Sequence, residues 1–373
     1  MKIAMLAPAN SIHTQRWLVA LSRRGHDITL FTQHPILTDT LPDSVRIERL
    51  PFSGRIGYFL NAALLAWRLR RLRPDLLHTH YASGYGTTAA LTGFYPSLLS
   101  VWGSDVFTFP KLSRLNRALV CWNLRRATRI ASTSNEMAAE TLLLARGRRE
   151  PYVTPFGVDC RVFYPCNNRD VDTLTIGTVK TLARPYGIDV LIQAFALLRS
   201  NLRNRDAGLA SRLRLLIVGD GPQRAELVEL IERLELVGTV TLAGAVPHSE
   251  VPFWLNKLHI YVAASRQESF GVAVVEASAC GIPVVVTDVG GLPEVVRDDV
   301  TGLIVPHENP GALADALSQL VLDCDLRQRL GLSGRAFVLK HFEWERCVDI
   351  METLYFDIAD SVTHSDRRTT QPG

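Results

Sequence analysis

Short apolar runs alternate with helical hydrophobic patterns along most of the 373-residue chain. In the first half, the apolar runs predict strands at 2–8, 27–32, 75–80, 98–102, 129–132 and 151–155. The segments between them predict helices near 13–24, 56–73, 85–93, 113–127 and 135–145. The alternation then restarts, with strands predicted at 174–180, 214–220, 240–246, 260–265, 283–288 and 302–306. Helices are predicted among these at 187–200, 222–235, 249–257, 270–280, 292–297 and 310–321. This alternation is typical of parallel sheets joined by crossover helices, so the sequence predicts an α/β protein of two similar units.

The boundary between the two units is predicted at residues 154–165, TPFGVDCRVFYP, because prolines bound this segment and it contains a glycine. We therefore expect a first domain at 1–163 and a second at 166–343. Two domains also fit the chain length and the 47% hydrophobic content, which allow two large cores. The polar composition of the tail, 364–373, predicts disorder.

The two halves of the chain carry opposite net charge. Residues 1–165 contain 21 Lys and Arg against 10 Asp and Glu, a net +11, whereas residues 166–373 contain 20 against 27, a net −7. A basic half indicates an anionic partner, such as a membrane surface, a phosphorylated substrate or nucleic acid. The alternative is that the arginines form the solvated faces of amphipathic helices.

No run of 18 apolar residues occurs, so no membrane span is predicted, and the apolar run at the start is too short for a secretory signal. We therefore expect a cytoplasmic protein. The segment 54–73, GRIGYFLNAALLAWRLRRLR, combines aromatic and aliphatic residues with four arginines near its end, which suits an interfacial helix. We expect this segment to contact the anionic inner face of the plasma membrane peripherally. The alternative is that Trp67 and its apolar neighbours pack on the sheet.

Two glutamates lie in an otherwise apolar stretch, RQESFGVAVVEASACGIPVVVTDVGG (266–291). A buried carboxylate is unfavourable unless it is hydrogen-bonded, so Glu276 needs either a protein partner or a ligand. Glu268 precedes a predicted helix whose first N–H groups, those of Phe270, Gly271 and Val272, favour an anion. Two acceptors on either side of an anion site match the layout of a nucleotide sugar. We predict that Glu276 accepts hydrogen bonds from the ribose and Glu268 from the sugar.

The stretch ESFGVAVVE (268–276) resembles the E-x7-E motif of retaining GT-B glycosyltransferases, in particular of glycosyltransferase family 4. Other stretches resemble the same family in the same order: ANSIHTQRW (9–17), PDLLHTHYASGYG (74–86), VWGSDV (101–106), PFGVD (155–159), LLIVGDGP (215–222) and GIPVVVTDVGGLPEVV (281–296). The resemblance implies a GT-B fold, in which the parallel sheets of two Rossmann-like domains face each other across a cleft. In the family, a C-terminal helix returns to the first domain, so residues 344–363 are expected to complete it.

The resemblance also implies which residues hold the donor. Glu268 and Glu276 match the glutamates that contact sugar and ribose, and residues 270–272 match the turn whose backbone meets sugar and phosphates. The family usually places a basic pair on the diphosphate from a loop after the first strand of the second domain.

In that loop, GTVKTLARPYG, the sequence offers Lys180 and Arg184, although their spacing departs from the usual pattern. We favour Lys180, because a diphosphate needs charge-assisted donors. The alternative is two solvent-exposed loop cations. Gly219, in the strand-to-helix turn GDGP, and Val246, at the end of a predicted strand, complete the donor-binding candidates.

In the first domain, the resemblance points to acceptor contacts. Many family members have a histidine where this chain has Trp102, so that catalytic contact cannot be transferred, whereas Asp105 remains as a catalytic candidate. The first loop supplies Asn10, Ser11 and His13 as acceptor-binding candidates, although His13 is equally explained as a locally satisfied helix residue. His80 is a further candidate for acceptor binding.

No metal or cofactor is expected. Alternation along a strand places His78 and His80 on one face, but no third ligand is in register with them. The six cysteines also lack metal-binding spacing.

The resemblance leads us to expect a retaining, metal-independent hexosyltransferase. It would move sugar from a nucleotide-diphosphate donor to a glycan or lipid-linked acceptor, in cell-surface polysaccharide, lipopolysaccharide or glycolipid synthesis. No nucleic acid partner is expected. Two alternatives stay open: a nucleotide-sugar 2-epimerase with the same fold, and a non-catalytic scaffold.

Overall fold

The computed structural model describes residues 1–36, 41–147, 150–166 and 169–369. It contains two compact units: the first comprises Met1–Pro155 and Cys347–Gly373, and the second comprises Phe156–Arg346. Each unit is built on one parallel sheet.

The sheet of the first unit has seven strands: β1 (Lys2–Leu6), β2 (Asp27–Thr32), β3 (Arg46–Arg49), β4 (Leu76–His80), β5 (Ser97–Ser100), β6 (Arg129–Ser132) and β7 (Tyr152–Val153). Their spatial order is β3–β2–β1–β4–β5–β6–β7, and every pairing is parallel. The strand order reverses at β1 and β4, which is where parallel sheets of this kind bind ligands.

The sheet of the second unit has six strands: β8 (Leu174–Val179), β9 (Leu213–Val218), β10 (Val240–Gly244), β11 (Ile260–Ala263), β12 (Val284–Thr287) and β13 (Gly302–Val305). Their order is β10–β9–β8–β11–β12–β13, again with parallel pairing throughout. Here the order reverses at β8 and β11, so a ligand is expected at the carboxyl ends of these two strands.

The helices connect these strands. They are α1 (Ile12–Arg23), α2 (Gly54–Leu72), α3 (Gly84–Thr92), α4 (Ser104–Phe107), α5 (Arg114–Arg126), α6 (Asn135–Leu144), α7 (Ile188–Arg203), α8 (Ala207–Arg212), α9 (Arg224–Arg233), α10 (Val251–Leu255), α11 (Val272–Ala279), α12 (Leu292–Val295), α13 (Pro310–Leu322), α14 (Cys324–His341) and α15 (Trp344–Thr369). Short 3-10 helices occupy Phe109–Lys111, Arg184–Tyr186 and His248–Glu250. The α/β alternation that the hydrophobic pattern predicts is confirmed.

One of the strands, β3, was not predicted from the sequence. β3, with the sequence RIER, pairs only with β2 and lies at the edge of its sheet. Edge strands are often charged and partly exposed, so they lack the apolar run that marks a buried strand. By contrast β12, VVVT, is buried along its whole length, as expected for a strand covered on both faces.

Helix α15 packs in the first unit. Its buried residues include Met351, Leu354, Tyr355 and Ile358. The Tyr355 hydroxyl lies 2.6 Å from Nδ1 of the fully buried His78 on β4. Glu352 on the same helix accepts a hydrogen bond from His26, 2.7 Å away. The helix therefore contributes both apolar and polar contacts to this unit.

Two boundaries differ from those expected. Residues 156–163 and 344–346 belong to the second unit, because Val158 donates its N–H to Phe342 O at 2.8 Å and accepts from Trp344 N–H at 3.0 Å. The segment predicted as a linker, 154–165, is thus hydrogen-bonded through Val158 to the end of α14 and the start of α15. Helix α15 also runs on to Thr369, beyond the predicted end at 363 and into the tail for which composition predicted disorder. Residues 370–373 of that tail lie outside the described residues.

Candidate active site

The loops after β8 and β9 bring Lys180 and Gly219 together. Lys180 follows β8 directly, and its N–H donates to Val218 O at 2.9 Å. Gly219 has φ +142°, and a Cβ at this position would lie 1.9 Å from Lys180 O. Only glycine fits both the positive φ and the close approach, so the GDGP turn is needed to seat Lys180 at the carboxyl edge of the sheet.

Lys180 and Glu268 form an ion pair. Lys180 Nζ lies 2.6 Å from Glu268 Oε2, and the two side chains are 19% and 12% exposed. Burial lowers the pKa of Lys180, but the charge of Glu268 more than offsets this, so the pKa lies above its ordinary value. The Tyr186 ring centroid lies 4.4 Å from Nζ and adds a cation–π contact. The candidate diphosphate ligand and the candidate sugar ligand therefore contact each other, and Lys180 stays charged.

Helix α11 begins beside this pair. Its N-cap, Gly271, has φ +101°, and a Cβ there would lie 2.8 Å from Leu292 Cδ2. No described residue accepts a hydrogen bond from the N–H of Gly271, Val272 or Ala273. The Phe270 side chain is buried against the rings of Phe156 and Phe342, so it is not available to a ligand. The N–H groups of Gly271 and Val272 are thus free, as the sequence predicts, and that of Ala273 is free as well.

Glu276 has a protein partner. Its side chain is 6% exposed, and its Oε1 lies 3.1 Å from Nε2 of His248, whose side chain is 42% exposed. His248 begins the 3-10 helix that follows β10. Val246 lies two residues before it, half-buried, in the loop beyond β10 rather than in the strand as predicted.

The charges of both glutamates act on a buried tyrosine. Tyr261 on β11 is fully buried, and burial raises its pKa to about 12, with the charge of Lys180 opposing and the charges of Glu268 and Glu276 adding to the rise. Both carboxylates therefore lie near one phenol. Lys180, Glu268 and Glu276 were singled out separately from the sequence, whereas Tyr261 was missed. In the structure, all three charged residues act on this tyrosine.

Arg184 does not join the Lys180–Glu268 pair. Its side chain is exposed in the 3-10 helix Arg184–Tyr186. The pKa of Glu308 is lowered chiefly by a hydrogen bond from Arg266, and the Arg184 charge makes a small further contribution. Arg266 itself binds Asp189 through two nitrogens at 2.8 and 2.7 Å and donates to Arg184 O at 3.0 Å. Arg266 thus anchors the loop that carries Arg184.

In the first unit, Asn10 and Ser11 line a pocket of about 370 Å³. Asn10 is exposed, and Ser11 is the N-cap of α1 without a side-chain capping bond. The pocket is otherwise lined by aromatic and hydroxyl side chains with short backbone stretches: Pro8, His34, Tyr58, Tyr81, Ser83, Gly84, Tyr85 and Ser104. The predicted acceptor loop therefore borders a polar, aromatic pocket.

His80 lies beneath this surface and not on it. It is fully buried, with Nδ1 3.2 Å from Thr14 Oγ1, and burial holds its pKa well below the ordinary value. The Trp102 ring packs against it, with centroids 4.1 Å apart, and His13 contacts the same ring edge-on at 5.8 Å. His80 has no exposed surface and does not line the pocket, so in this arrangement it offers no direct contact to an acceptor.

The Asp105 carboxylate accepts hydrogen bonds from the backbone. It is 1% exposed, and it accepts hydrogen bonds from the N–H groups of Ala82 at 2.7 Å, Gly103 at 2.9 Å and Trp102 at 3.1 Å. Burial raises its pKa, although these bonds act against the rise. Its contacts are those of a side chain that fixes the Trp102 loop against β4.

The His78–His80 pair is not part of a metal cluster in the described residues. The rings lie on one strand face with centroids 4.6 Å apart. His78 is occupied by Tyr355 and by Ser100, whose Oγ lies 2.7 Å from Nε2. Across the described part of the chain, no group of three His, Cys, Asp or Glu side chains could hold a metal ion.

Comparison with protein families then identifies the chain. A family model described as "Glycosyl transferases group 1" matches residues 166–337, and one described as "Glycosyl transferase 4-like" matches residues 2–134. Together they cover most of both units. The chain belongs to the group 1 glycosyl transferases.

Relatives of this glycosyltransferase cover nearly its whole length. It is 27% identical to N-acetyl-alpha-D-glucosaminyl L-malate synthase of Bacillus anthracis, over 91% of each chain. It is 29% identical to D-inositol 3-phosphate glycosyltransferase of Actinosynnema mirum, over 94% of this chain and 92% of the relative. The solved structure of Anabaena HepE in complex with UDP matches with a TM-score of 0.78 at 19% identity, covering 95% and 99% of the two chains. The predicted GT-B fold is confirmed.

Several residues of the glycosyltransferase site were missed from its sequence. His248, Tyr186 and Arg266 were not singled out, although each follows soon after a strand of the second sheet. Position at the carboxyl edge of a parallel sheet is the signal that could have found them. Tyr81, which directly follows β4 in the first unit, carries the same signal, whereas Tyr58 lies within α2 and carries none.

Proposed function

We propose that this glycosyltransferase moves a hexose-type sugar from a nucleotide-diphosphate sugar to a hydroxyl group of a glycan or lipid-linked acceptor, with retention of the anomeric configuration. The observation that carries the proposal is the pair of nearly buried carboxylates, Glu268 and Glu276, beside the free N–H groups at the start of α11. In this assignment, Glu276 binds the ribose, Lys180 and the helix start bind the diphosphate, and Glu268 binds the sugar.

The chemistry we propose is a front-face displacement. The bond between the anomeric carbon and the diphosphate oxygen breaks, and the acceptor oxygen forms a bond to that carbon from the same side. The acceptor proton passes to the departing phosphate oxygen. Lys180, the helix N–H groups and Arg184, if its loop moves inward, stabilise the charge that leaves, a contribution commonly worth several kcal/mol. Because these groups supply positive charge, the mechanism requires no metal ion.

Similarity to known proteins supports the choice of substrates. Anabaena HepE binds UDP in a solved structure, which favours a nucleotide diphosphate as the donor carrier. The two relatives are named for transfer to malate or to inositol 3-phosphate, each of which carries a free hydroxyl group. In this chain, the pocket of the first unit offers serine hydroxyls, phenols and an amide to such an acceptor.

A donor panel tests the proposal. The purified protein is incubated with radiolabelled UDP- and GDP-hexoses and a membrane extract, and the product linkage is determined by NMR. We expect transfer from one donor class, with the donor's anomeric configuration kept. Inversion would contradict the mechanism. Conversion of the free donor to its 2-epimer would favour the epimerase, and nucleotide binding without turnover would favour the scaffold.

We also propose that the protein works in the cytoplasm, at the inner face of the plasma membrane, through α2. Trp67 is 52% exposed and does not pack on the sheet; α2 buries other residues, Gly57, Asn61, Ala62, Leu65 and Leu69. Ile56, Phe59 and Leu60 are also at least half exposed. No helix of the described residues is both long and apolar enough to cross a membrane. A lipid-linked or surface-polysaccharide acceptor would fit this location.

A further inference from the structure

We infer that His248 is the positioning residue for Glu276, and that it sets nucleotide affinity by holding this carboxylate toward the ribose. The inference rests on the proposed function, since it concerns the nucleotide half of the same donor site. Nothing in the sequence motif marks His248: it lies on another loop, 28 residues before its partner along the chain.

The first argument is the isolation of the carboxylate. Glu276 lies in the middle of α11, where its neighbours Val275, Ala277 and Ser278 are all buried. Among described residues, the one hydrogen bond to this carboxylate comes from His248 Nε2, at 3.1 Å. A nearly buried carboxylate without this bond would pay a large desolvation cost, so the contact decides where the carboxylate points.

The second argument is that His248 is itself fixed. Its ring lies against Phe163, with centroids 5.7 Å apart, and Pro247 precedes it with φ −59°. The 3-10 helix His248–Glu250 leads directly into α10. The imidazole is therefore held by packing on one side, while its Nε2 reaches Glu276 and 42% of the side chain stays open to solvent.

The third argument is the contrast with Glu268. That carboxylate is held by Lys180, a cation that the proposed mechanism places on the diphosphate. Glu276 instead is held by a group that can donate through Nε2–H while neutral, which leaves the carboxylate its charge and its second oxygen for a ribose diol. The two glutamates thus differ in their supports, and loss of His248 should affect nucleotide binding without changing the sugar side.

Five variants test the inference. The dissociation constant for UDP and GDP is measured by calorimetry, and kcat at saturating donor is measured separately. H248A removes the donor and the ring, H248F keeps a ring that can pack on Phe163, and H248Q places an amide N–H near the Nε2 position. We expect H248A and H248F to bind the nucleotide about fivefold to tenfold more weakly, as for the loss of one hydrogen bond, and H248Q to stay within twofold of the wild type.

The remaining two variants are E276Q alone and E276Q combined with H248A. We expect H248A to have little further effect in that background, and kcat at saturating donor to change less than twofold in H248A alone. Wild-type nucleotide affinity in H248A or H248F would overturn the inference but not the proposed function. The same holds if H248A weakens nucleotide binding as much in the E276Q background as in the wild type. If the wild type bound neither UDP nor GDP, both the inference and the proposed function would fail. Should H248A not fold, H248F against H248Q makes the same comparison.

Discussion

Both glutamates of the proposed donor site have a protein partner. Glu268 is paired with Lys180 at 2.6 Å, and Glu276 is hydrogen-bonded to His248 at 3.1 Å. Removing one member of such a pair leaves the other poorly solvated, which costs more than the interaction itself contributes. A ligand hydroxyl can still donate a hydrogen bond to either carboxylate, because each retains lone pairs that no described residue uses.

Replacing each glutamate with a neutral amide should affect a different property of the enzyme, nucleotide affinity in one case and kcat in the other. We expect Glu276→Gln to weaken nucleotide binding about tenfold, since a charged acceptor becomes a neutral one. Glu268→Gln should instead reduce kcat by roughly two orders of magnitude with a smaller effect on nucleotide affinity, because the proposed mechanism places Glu268 on the sugar at the reacting centre. Calorimetry with the nucleotide and initial rates with the donor separate the two effects.

Glu229→Gln is the matched control for both variants. Glu229 is exposed on α9 of the same unit, so its substitution should change neither binding nor turnover. Thermal unfolding should confirm that all three variants fold. Full activity of both Glu268→Gln and Glu276→Gln with the true donor would refute the assignment of these residues.

At the scale of elements, α15 is held to β4 by a polar contact inside an apolar core. The Tyr355 hydroxyl lies 2.6 Å from His78 Nδ1, and both side chains are fully buried. The hydrogen bond therefore ties the C-terminal helix to the strand whose carboxyl end carries His80 and Tyr81. Two consequences can be measured, one for each partner of the bond.

Tyr355→Phe should destabilise the first unit by about 1–3 kcal/mol, because His78 Nδ1 would lose its partner in a buried setting. Denaturant unfolding measures this change. Tyr152→Phe serves as the control, since Tyr152 is 44% exposed in the same unit and should give a change within about 0.5 kcal/mol. Equal stability of the two variants would show that the contact does not hold α15.

His78 should also make stability depend on pH. Burial lowers its pKa to about 3, whereas an unfolded histidine titrates near 6.5. Below pH 6.5 the unfolded chain therefore binds a proton that the folded chain excludes, and stability falls by up to about 1.4 kcal/mol per pH unit until the folded pKa is reached. The buried His80 acts in the same direction. We expect His78→Gln to reduce the slope of unfolding free energy between pH 6 and pH 4; an unchanged slope would exclude His78 as its source.

At the scale of the whole molecule, the basic half and the exposed apolar face of α2 lie in the same unit. Arg70, Arg71 and Arg73 are exposed, and the Arg71 guanidinium lies 4.9 Å from the Trp67 ring centroid. Arg68 is instead engaged by Glu48 at 2.9 Å, so three arginines rather than the expected four face solvent. Each cation near an anionic surface contributes roughly 1 kcal/mol, so three can hold the protein reversibly.

Co-sedimentation with liposomes tests this surface. We expect binding to anionic vesicles that weakens with added salt, and little binding to neutral vesicles. Arg70→Glu with Arg71→Glu should abolish most of the binding. Arg203→Glu with Arg205→Glu, in the second unit, changes the net charge equally and should leave binding intact. Equal affinity for neutral and anionic vesicles would rule out the membrane proposal.

The sequence by itself determined the α/β alternation, the family and the candidates around the E-x7-E motif. Apolar runs report burial directly, and Gly219 and Gly271 report backbone positions where a side chain does not fit. These signals are local, so they can be read along the chain. The edge strand β3 gave no such signal because it is charged and partly exposed.

The tertiary structure alone decided which candidates meet. The pairing of Lys180 with Glu268 spans 88 residues, and that of His248 with Glu276 joins two separate loops. Only the strand order of a parallel sheet brings such distant loops to one edge. The structure likewise packed His80 against Trp102 and surrounded Asp105 with backbone amides, because burial depends on neighbours contributed by other elements. A residue's type and its motif fix the chemistry it can perform, but its partners and its access to a ligand are properties of the fold.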